Sequence, residues 1–252
     1  MPVTRHEILA LLKTVLEPQD GVCAMWRGGS AARGESDEWS DIDAVVVCEE
    51  ENVDAVFDTV EAALPRLSPI DLVWKVPEPT WHGHAQRFYR LVDAPDHLLI
   101  DLVVMIRGSH ERFLVPERHG LAVPVFDKVG LIKPAEFDAQ AFRAKMRADL
   151  ADTKVRFEIL QCMVDKEIQR GRPLDALNFY FGLTLTPLIK VLGMRYRRSR
   201  YDFGRRYTRE DFPTDVADKV EALHFVRDLD DLETKHDRAQ QLFWQTVQIL
   251  ED

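Results

Sequence analysis

The sequence contains little cysteine and no cysteine pair of the kind that binds zinc. Its three cysteines, Cys23, Cys48 and Cys162, are far apart and odd in number. This spacing argues against a disulfide framework as well as against a CxxC zinc site. The sequence also lacks an apolar run long enough to cross a bilayer, and its first residues lack the basic-then-apolar order of a signal peptide. We therefore expect a cytoplasmic protein without a membrane partner.

Overall positive charge is absent as well. The formal net charge is -10 at pH 7, which disfavours a general nucleic-acid binder because binding a polyanion needs a basic surface. Basic residues are nevertheless concentrated in the basic segment 190–209, which holds eight of them and one acid. Two interpretations of this segment are open. Its arginines bind phosphate groups of a ligand, with RNA contact as a further possibility, or they form salt bridges on an acidic surface.

The apolar pattern divides the chain into a mixed region and a helical region. Short β-branched and apolar runs predict strands at 22–26, 42–48, 70–76, 87–92, 97–105 and 123–125. Helical spacing predicts helices after a capping box at 4–7 and at 53–64, 139–169, 174–192, 215–227 and 232–250, with a kink at Pro187. The sequence therefore predicts an α+β fold, in which a mixed sheet with flanking helices over 1–133 precedes an all-helical domain over 134–252.

One stretch combines a glycine-serine turn with a pair of aspartates. Gly28, Gly29 and Ser30 follow the first predicted strand, and eleven residues after Ser30 come Asp41 and Asp43 at the head of the second. Side chains alternate along a strand, so the two carboxylates share one face and repel each other. Magnesium between them would relieve this repulsion, because it prefers oxygen ligands and completes its shell with substrate phosphates. Glycines beside them let backbone amides approach a phosphate closely.

A third carboxylate has two candidates in nearly identical contexts. Asp71 and Asp101 each sit in the sequence Ile-Asp-Leu-Val. Asp101 lies inside a long apolar strand, where an isolated carboxylate is costly unless it is paired or bound to a metal. Asp71 lies near a strand start after Pro69, where exposure is easy. The sequence therefore favours Asp101 and leaves Asp71 as the alternative.

The Gly29-Ser30 turn followed by Asp41-x-Asp43 resembles the signature of the DNA polymerase beta-like nucleotidyltransferase superfamily. The resemblance is clearest over residues 22–47 and extends weakly to about 105. The joining of this region to a helical C-terminal domain is similar to antibiotic (aminoglycoside-type) nucleotidyltransferases. The resemblance implies that the aspartate pair and a third acid, Asp101, hold two magnesium ions. It also implies that Gly29 and Ser30 hold the triphosphate of a nucleotide.

This resemblance implies an enzyme that transfers a nucleoside monophosphate, AMP from ATP in the favoured reading, to a hydroxyl of a small molecule and releases pyrophosphate. An aminoglycoside-like acceptor suits the acidic charge outside the basic segment. Transfer to a protein or RNA, or a non-catalytic nucleotide-binding relative, are the alternatives. We expect the site in a cleft between the two regions.

Other polar residues near the motif carry weaker signals. Arg33 follows the glycine-serine turn, and either binds a nucleotide phosphate or lies in solvent. Trp81, His82 and His84, with Gln86 shortly after, are able to line a base or acceptor pocket. A transition metal on the two histidines is disfavoured, because no third ligand is near in the sequence.

Overall fold

The protein is represented by a computed structural model that describes residues 2–110 and 112–252. Met1 and Glu111 fall inside the region predicted at 1–133 but lie outside the described residues. The chain divides into two units, Met1–Phe137 (unit 1) and Asp138–Asp252 (unit 2). The catalytic and substrate-binding roles expected of the two regions stay predictions.

The described residues of unit 1 form a six-stranded mixed sheet with the strand order β3-β4-β5-β2-β1-β6. Strands β2 and β5 run parallel, and the other neighbouring strands run antiparallel. The strands are β1 (Val22–Arg27), β2 (Ile42–Cys48), β3 (Ile70–Lys75), β4 (Ala85–Leu91), β5 (Ile100–Ile106) and β6 (Val123–Asp127). Each lies within a few residues of the segment predicted from the apolar runs.

Two helices, α1 (Arg5–Leu16) and α3 (Val53–Ala63), supply apolar residues to a core with one face of this sheet. The predicted capping box begins α1, since the Thr4 hydroxyl accepts a hydrogen bond from the Glu7 amide and the Glu7 carboxylate accepts one from the Thr4 amide. Alternate residues of the central strands point into this layer. Its buried members include Ile8, Leu12, Ala44, Val46, Val56, Val60, Leu102 and Val104.

The opposite face of the sheet carries a smaller core and, at the strand ends, polar residues. Its buried apolar members are Cys23, Trp26, Val45, Val47, Val103, Met105 and Leu114. Partly buried residues between 113 and 132 pack against them, and this segment contains the short helix α4 (Pro116–His119). Because Asp43 and Asp101 alternate in step with Val45 and Val103, their side chains belong to this face.

The segment after β1 differs from the sequence prediction. Residues 31–40 are small and polar and were expected to form a loop, but Gly29–Arg33 form the short helix α2. The Ala32 amide donates to the Gly28 carbonyl at 3.1 Å, and Gly34 ends the helix with a left-handed φ of 72°. Alanines at 31 and 32 tolerate a helical turn, so glycine-rich composition alone was a poor guide here.

Unit 2 is helical throughout its regular elements. Asp138 caps the long helix α5 through hydrogen bonds from two backbone amides, and Phe157 of α5 stacks on Phe243 at a ring separation of 3.6 Å. The helices are α5 (Ala139–Gln169), α6 (Pro173–Phe179), α7 (Thr186–Tyr196), α8 (Thr208–Asp211), α9 (Thr214–His224) and α10 (Leu229–Glu251). The predicted α+β fold class is confirmed.

The helix predicted at 174–192, interrupted or kinked at Pro187, is not regular α-helix before this proline. A π-helical segment, Tyr180–Leu185, joins α6 to α7, and Pro187 lies in the first turn of α7. Proline lacks an amide hydrogen. The Leu183 carbonyl, four residues earlier, instead accepts a hydrogen bond from Gln161 at 3.1 Å.

The same helical stretch corrects one sequence expectation about apolar runs. Pro173–Tyr196 is long and apolar enough to cross a membrane by length and composition, with a mean hydropathy of 1.3. Half of its most apolar window is buried inside the protein, which is also the behaviour of a core helix.

Candidate active site

Asp43 and Asp101 are direct neighbours on parallel strands. They are paired residues in the register of β2 and β5, and adjacent strands lie about 4.8 Å apart. Asp41, two residues before Asp43, is exposed and immediately precedes β2. Burial raises the pKa of the Asp101 carboxyl to about 6, a hydrogen bond from Gln86 opposes this rise, and the charges of Asp43 and Asp41 add to it. The structure thus pairs Asp43 with Asp101 and places Asp41 near enough for its charge to act on Asp101.

The alternative third acid lies elsewhere. Asp71 is on β3, the edge strand, and β4 separates that strand from β5. Its carboxylate accepts a hydrogen bond from the Arg90 guanidinium at 2.7 Å, in a half-exposed ion pair. A carboxylate neutralised at the sheet edge does not share the surroundings of Asp43 and Asp101.

The glycines make room for the Asp43 side chain. The Gly28 amide donates to the Asp43 carbonyl at 2.9 Å. Gly29 has a φ of +53°, and a Cβ at this position would lie 1.8 Å from Asp43 Oδ2. Only glycine satisfies both the left-handed backbone and the contact. Sequence reasoning assigned the glycines to phosphate approach and missed this second role.

Ser30 and Arg33 both lie on α2. The Ser30 hydroxyl is 3.2 Å from the Ser36 hydroxyl, within hydrogen-bonding distance. Arg33 donates through Nε to Glu35 at 2.6 Å, and only 12% of its side chain is exposed. Arg33 is therefore not an arginine in open solvent, and contact with a phosphate would compete with Glu35. Their nucleotide-binding roles stay predictions.

A chain of hydrogen bonds leads from the 80–84 loop to Asp101. The His84 amide donates to Nδ1 of His82 at 3.1 Å, which leaves the proton of the neutral ring on Nε2. That nitrogen is 3.2 Å from Oε1 of Gln86, and Nε2 of Gln86 donates to Asp101 Oδ1 at 2.7 Å. The direction of each link follows from the one before it. We call Gln86 and His82 the relay pair.

Sequence reasoning placed the relay pair only loosely, as residues able to line a base or acceptor pocket. Gln86 pairs with Val103 on β5, and this register brings Gln86 diagonally across from Asp101. This register depends on two strands that the sequence predicts separately.

The aspartates suit magnesium by donor chemistry, although they do not form a ready-made cluster. Among residues 2–110 and 112–252, no three His, Cys, Asp or Glu side chains are arranged to hold a metal ion. Magnesium, however, commonly uses one or two carboxylates and takes its other ligands from water and substrate phosphates. The two adjacent carboxylates on β2 and β5 match that requirement with hard oxygen donors. A site with all three aspartates as ligands stays a prediction.

The basic segment 190–209 makes many contacts within unit 2. Arg197 is buried and donates to the Arg206 and Gly204 carbonyls, and Arg200 pairs with Asp211. Further contacts join Arg209 to Asp218 and Glu221, Lys190 to Asp149, and Arg205 to the Phe181 carbonyl. These contacts favour the interpretation of the segment as a salt-bridged surface.

A family model described as the nucleotidyltransferase domain matches residues 9–79. The matched segment contains the Gly29-Ser30 turn, Asp41 and Asp43, and it ends before Asp101. The resemblance stated from the motif is confirmed over this segment. No protein among the curated sequences compared with the chain matches it.

Two solved structures are distantly similar to the whole chain. One is an aminoglycoside 6-adenyltransferase from Bacillus subtilis, with 12% identity and a TM-score of 0.37 over 98% of this chain and 89% of that one. The other is a spectinomycin adenyltransferase from Enterococcus faecialis with ATP and spectinomycin, with 12% identity and a TM-score of 0.37 over 97% and 90%.

Proposed function

We propose that the protein is a magnesium-dependent nucleotidyltransferase that moves AMP from ATP to a hydroxyl of a small molecule. The observation that carries this proposal is the pairing of Asp43 with Asp101 in the sheet. Gly29 lies against the Asp43 carboxylate, where a residue with a Cβ would collide with it. Two adjacent carboxylates of like charge repel each other, and a divalent cation with hard-oxygen preference would relieve that repulsion. The nucleotidyltransferase model covers the part of the site that contains Asp43.

The proposed reaction is an in-line displacement at the α-phosphorus of ATP. A bond forms between the acceptor oxygen and phosphorus, the bond to pyrophosphate breaks, and pyrophosphate leaves with its electron pair. Asp101 accepts the proton of the attacking hydroxyl. Gly29 and Ser30 hold the triphosphate chain, with Arg33 as a further contact if Glu35 releases it.

Magnesium would be held by Asp43 and Asp101, with Asp41 beside them. When bound, it would neutralise phosphate charge and make the acceptor hydroxyl more acidic. The protein's own contribution is to fix the two carboxylates in register and to keep Asp101 Oδ1 occupied by Gln86. Positioning and charge stabilisation account for most of the catalysis in reactions of this class.

The acceptor we propose is a hydroxylated small molecule, with antibiotics such as aminoglycosides as the first class to test. The net charge of -10 favours a neutral or cationic acceptor over a polyanion such as RNA.

Pyrophosphate release tests the proposal directly. Purified protein is incubated with magnesium and with ATP, GTP, CTP or UTP, in the presence of aminoglycosides, other hydroxylated antibiotics, tRNA or a cell extract. We expect release with ATP and a small-molecule acceptor, and none when magnesium is chelated. Release only with tRNA or a protein acceptor would replace the small-molecule hypothesis. Binding of ATP without release under any condition would support a non-catalytic relative.

A further inference from the structure

An aromatic pair continues the row of residues that contains the paired aspartates. In the sheet register, Trp74 of β3 lies opposite Phe88 of β4, Phe88 lies opposite Asp101 of β5, and Asp101 lies beside Asp43. Directly paired residues on neighbouring strands point to the same face of a sheet. One line across the sheet therefore runs from an aromatic pair at the edge to the candidate active site. We call Trp74 and Phe88 the aromatic platform.

The aromatic platform is open, whereas the other face of β4 is covered. The two rings stack with centroids 5.3 Å apart and planes 18° from parallel, and Trp74 is 57% exposed. On the other face, Tyr89 is buried and its hydroxyl bonds to Glu61 of α3, while Arg87 lies over the Phe57 ring. The core thus does not use the platform, and an exposed tryptophan stacked on a partly buried phenylalanine beside the candidate active site is suited to ligand recognition.

The position of the platform in the sheet indicates on which side of the aspartate pair the acceptor binds and on which side the pyrophosphate leaves. In the strand order, Gly29 and Ser30 follow β1 on one side of the aspartate pair, and Trp74 lies on β3 on the other side. In-line transfer requires the acceptor oxygen and the departing pyrophosphate to lie on opposite sides of the α-phosphorus. With the triphosphate on the Gly29 side, the side that faces Trp74 is left for the acceptor.

We propose that Trp74 and Phe88 form the acceptor subsite and stack on the apolar face of a hydroxylated ring compound. This inference rests on the proposed function and deepens it. The flat rings recognise a ring by its face, and an ion pair on the same two strands, Arg90 with Asp71, is neutral overall. The platform therefore binds the acceptor by stacking on its ring, and not through a group of carboxylates.

A binding experiment tests the subsite without turnover. The protein has five tryptophans, so 15N-labelled tryptophan gives five indole signals, which Trp→Phe variants assign. The signals are followed on addition of a non-hydrolysable ATP analogue with magnesium, and then of spectinomycin, kanamycin and lincomycin in turn. We expect the analogue to leave the Trp74 indole signal in place, and at least one ring compound to shift it.

Variants complete the test. We expect Trp74→Ala to weaken binding of that ring compound at least tenfold and Trp74→Phe to retain most of it. Val73→Ala is the matched control, because Val73 is an exposed neighbour on the other face of β3 and should bind like the wild type.

Three results would overturn the inference: a Trp74 shift caused by the ATP analogue, no Trp74 shift with any of the three ring compounds, or normal ring-compound binding by Trp74→Ala. A separate result would contradict the proposed function: the wild type does not bind the ATP analogue in a magnesium-dependent manner. The two failures are therefore distinguishable in one titration series.

Discussion

At the scale of single residues, Asp101 combines a functional position with an energetic cost. Its pKa of about 6 in the folded protein lies above the value of 3.8 for an ordinary aspartate. The folded state therefore binds more protons than the unfolded state between about pH 4 and 6, and stability falls as pH rises through this window. Above it the ionised carboxyl destabilises the metal-free protein, by an amount on the order of 1–3 kcal/mol.

We predict that Asp101→Asn stabilises the metal-free protein at pH 7.5 by about 1–3 kcal/mol while abolishing transfer. Asparagine keeps an oxygen that can accept the Gln86 hydrogen bond and removes the charge. Denaturant unfolding with a metal chelator measures the effect. The difference between variant and wild type should vanish below about pH 4, where the wild-type carboxyl is protonated in both states. A variant less stable than the wild type at pH 7.5 would contradict this explanation.

Gly29 is the second residue whose role is specific enough to test. Gly29→Ala should abolish magnesium-dependent ATP binding, since the added Cβ would overlap the Asp43 carboxylate at 1.8 Å. Gly34→Ala is the matched control, because Gly34 also has a positive φ but has nothing within 4 Å of the added Cβ. The control should lose only about 1–2 kcal/mol of stability and keep ATP binding. Equal loss of binding in both variants would show that backbone strain, and not the contact with the Asp43 carboxylate, causes the effect.

The relay pair makes a third prediction. Gln86→Met keeps the length of the side chain but removes both its hydrogen bonds, to His82 and to Asp101. We expect kcat to fall about 10- to 100-fold, because Asp101 loses the group that orients it, with little change in the KM for ATP. Steady-state kinetics separate the two constants. An effect on KM alone would show that Gln86 binds nucleotide instead of positioning Asp101.

At the scale of elements, the turn after β6 shows how one carboxylate organises a segment of backbone. Asp127 accepts hydrogen bonds from the amides of Val129, Gly130, Leu131 and Ile132 at 2.8–3.2 Å. Burial raises the pKa of Asp127, but these four amides outweigh it and hold the pKa below its usual value. The stability that they supply is present above about pH 4 and is lost as pH falls through the lowered pKa.

We predict that Asp127→Ala destabilises unit 1 by about 1–2 kcal/mol at pH 7, because four backbone amides lose their acceptor at an exposed turn. Thermal or denaturant unfolding at pH 7 gives the value. Asp138→Ala provides a comparison in unit 2, since Asp138 caps α5 with two amides and should cost about 1 kcal/mol. A loss at Asp127 no larger than 0.3 kcal/mol would show that solvent replaces the carboxylate.

At the scale of the whole molecule, the sequence predicts elements better than the relations between them. Periodicity identified the strands and the long helices, because each alternation or helical spacing is a local property. The four-residue context that Asp71 and Asp101 share did not separate them, and the longer apolar run around Asp101 only favoured it. Strand order decides their surroundings: β5 pairs with β2 and β3 lies at the edge.

Other parts of the site also depend on relations that the sequence does not contain. The relay pair requires the register of β4 on β5, and the aromatic platform requires the registers of three strand pairs together. The sequence did not predict helix α2, because glycine and serine are typical of turns and a short helix also accommodates them. Sequence reasoning therefore identified the aspartate pair and its glycine-serine turn, and the fold supplied their neighbours.

The most direct test of the central claim is calorimetric titration of ATP with magnesium into the wild type, Asp43→Asn and Asp71→Asn. The account predicts that Asp43→Asn loses at least 100-fold in magnesium-dependent affinity, because a carboxylate next to Asp101 is removed. Asp71→Asn should bind like the wild type, because Asp71 pairs with Arg90 at the sheet edge. Wild-type affinity in Asp43→Asn, or a comparable loss in Asp71→Asn, would contradict the assignment of the site.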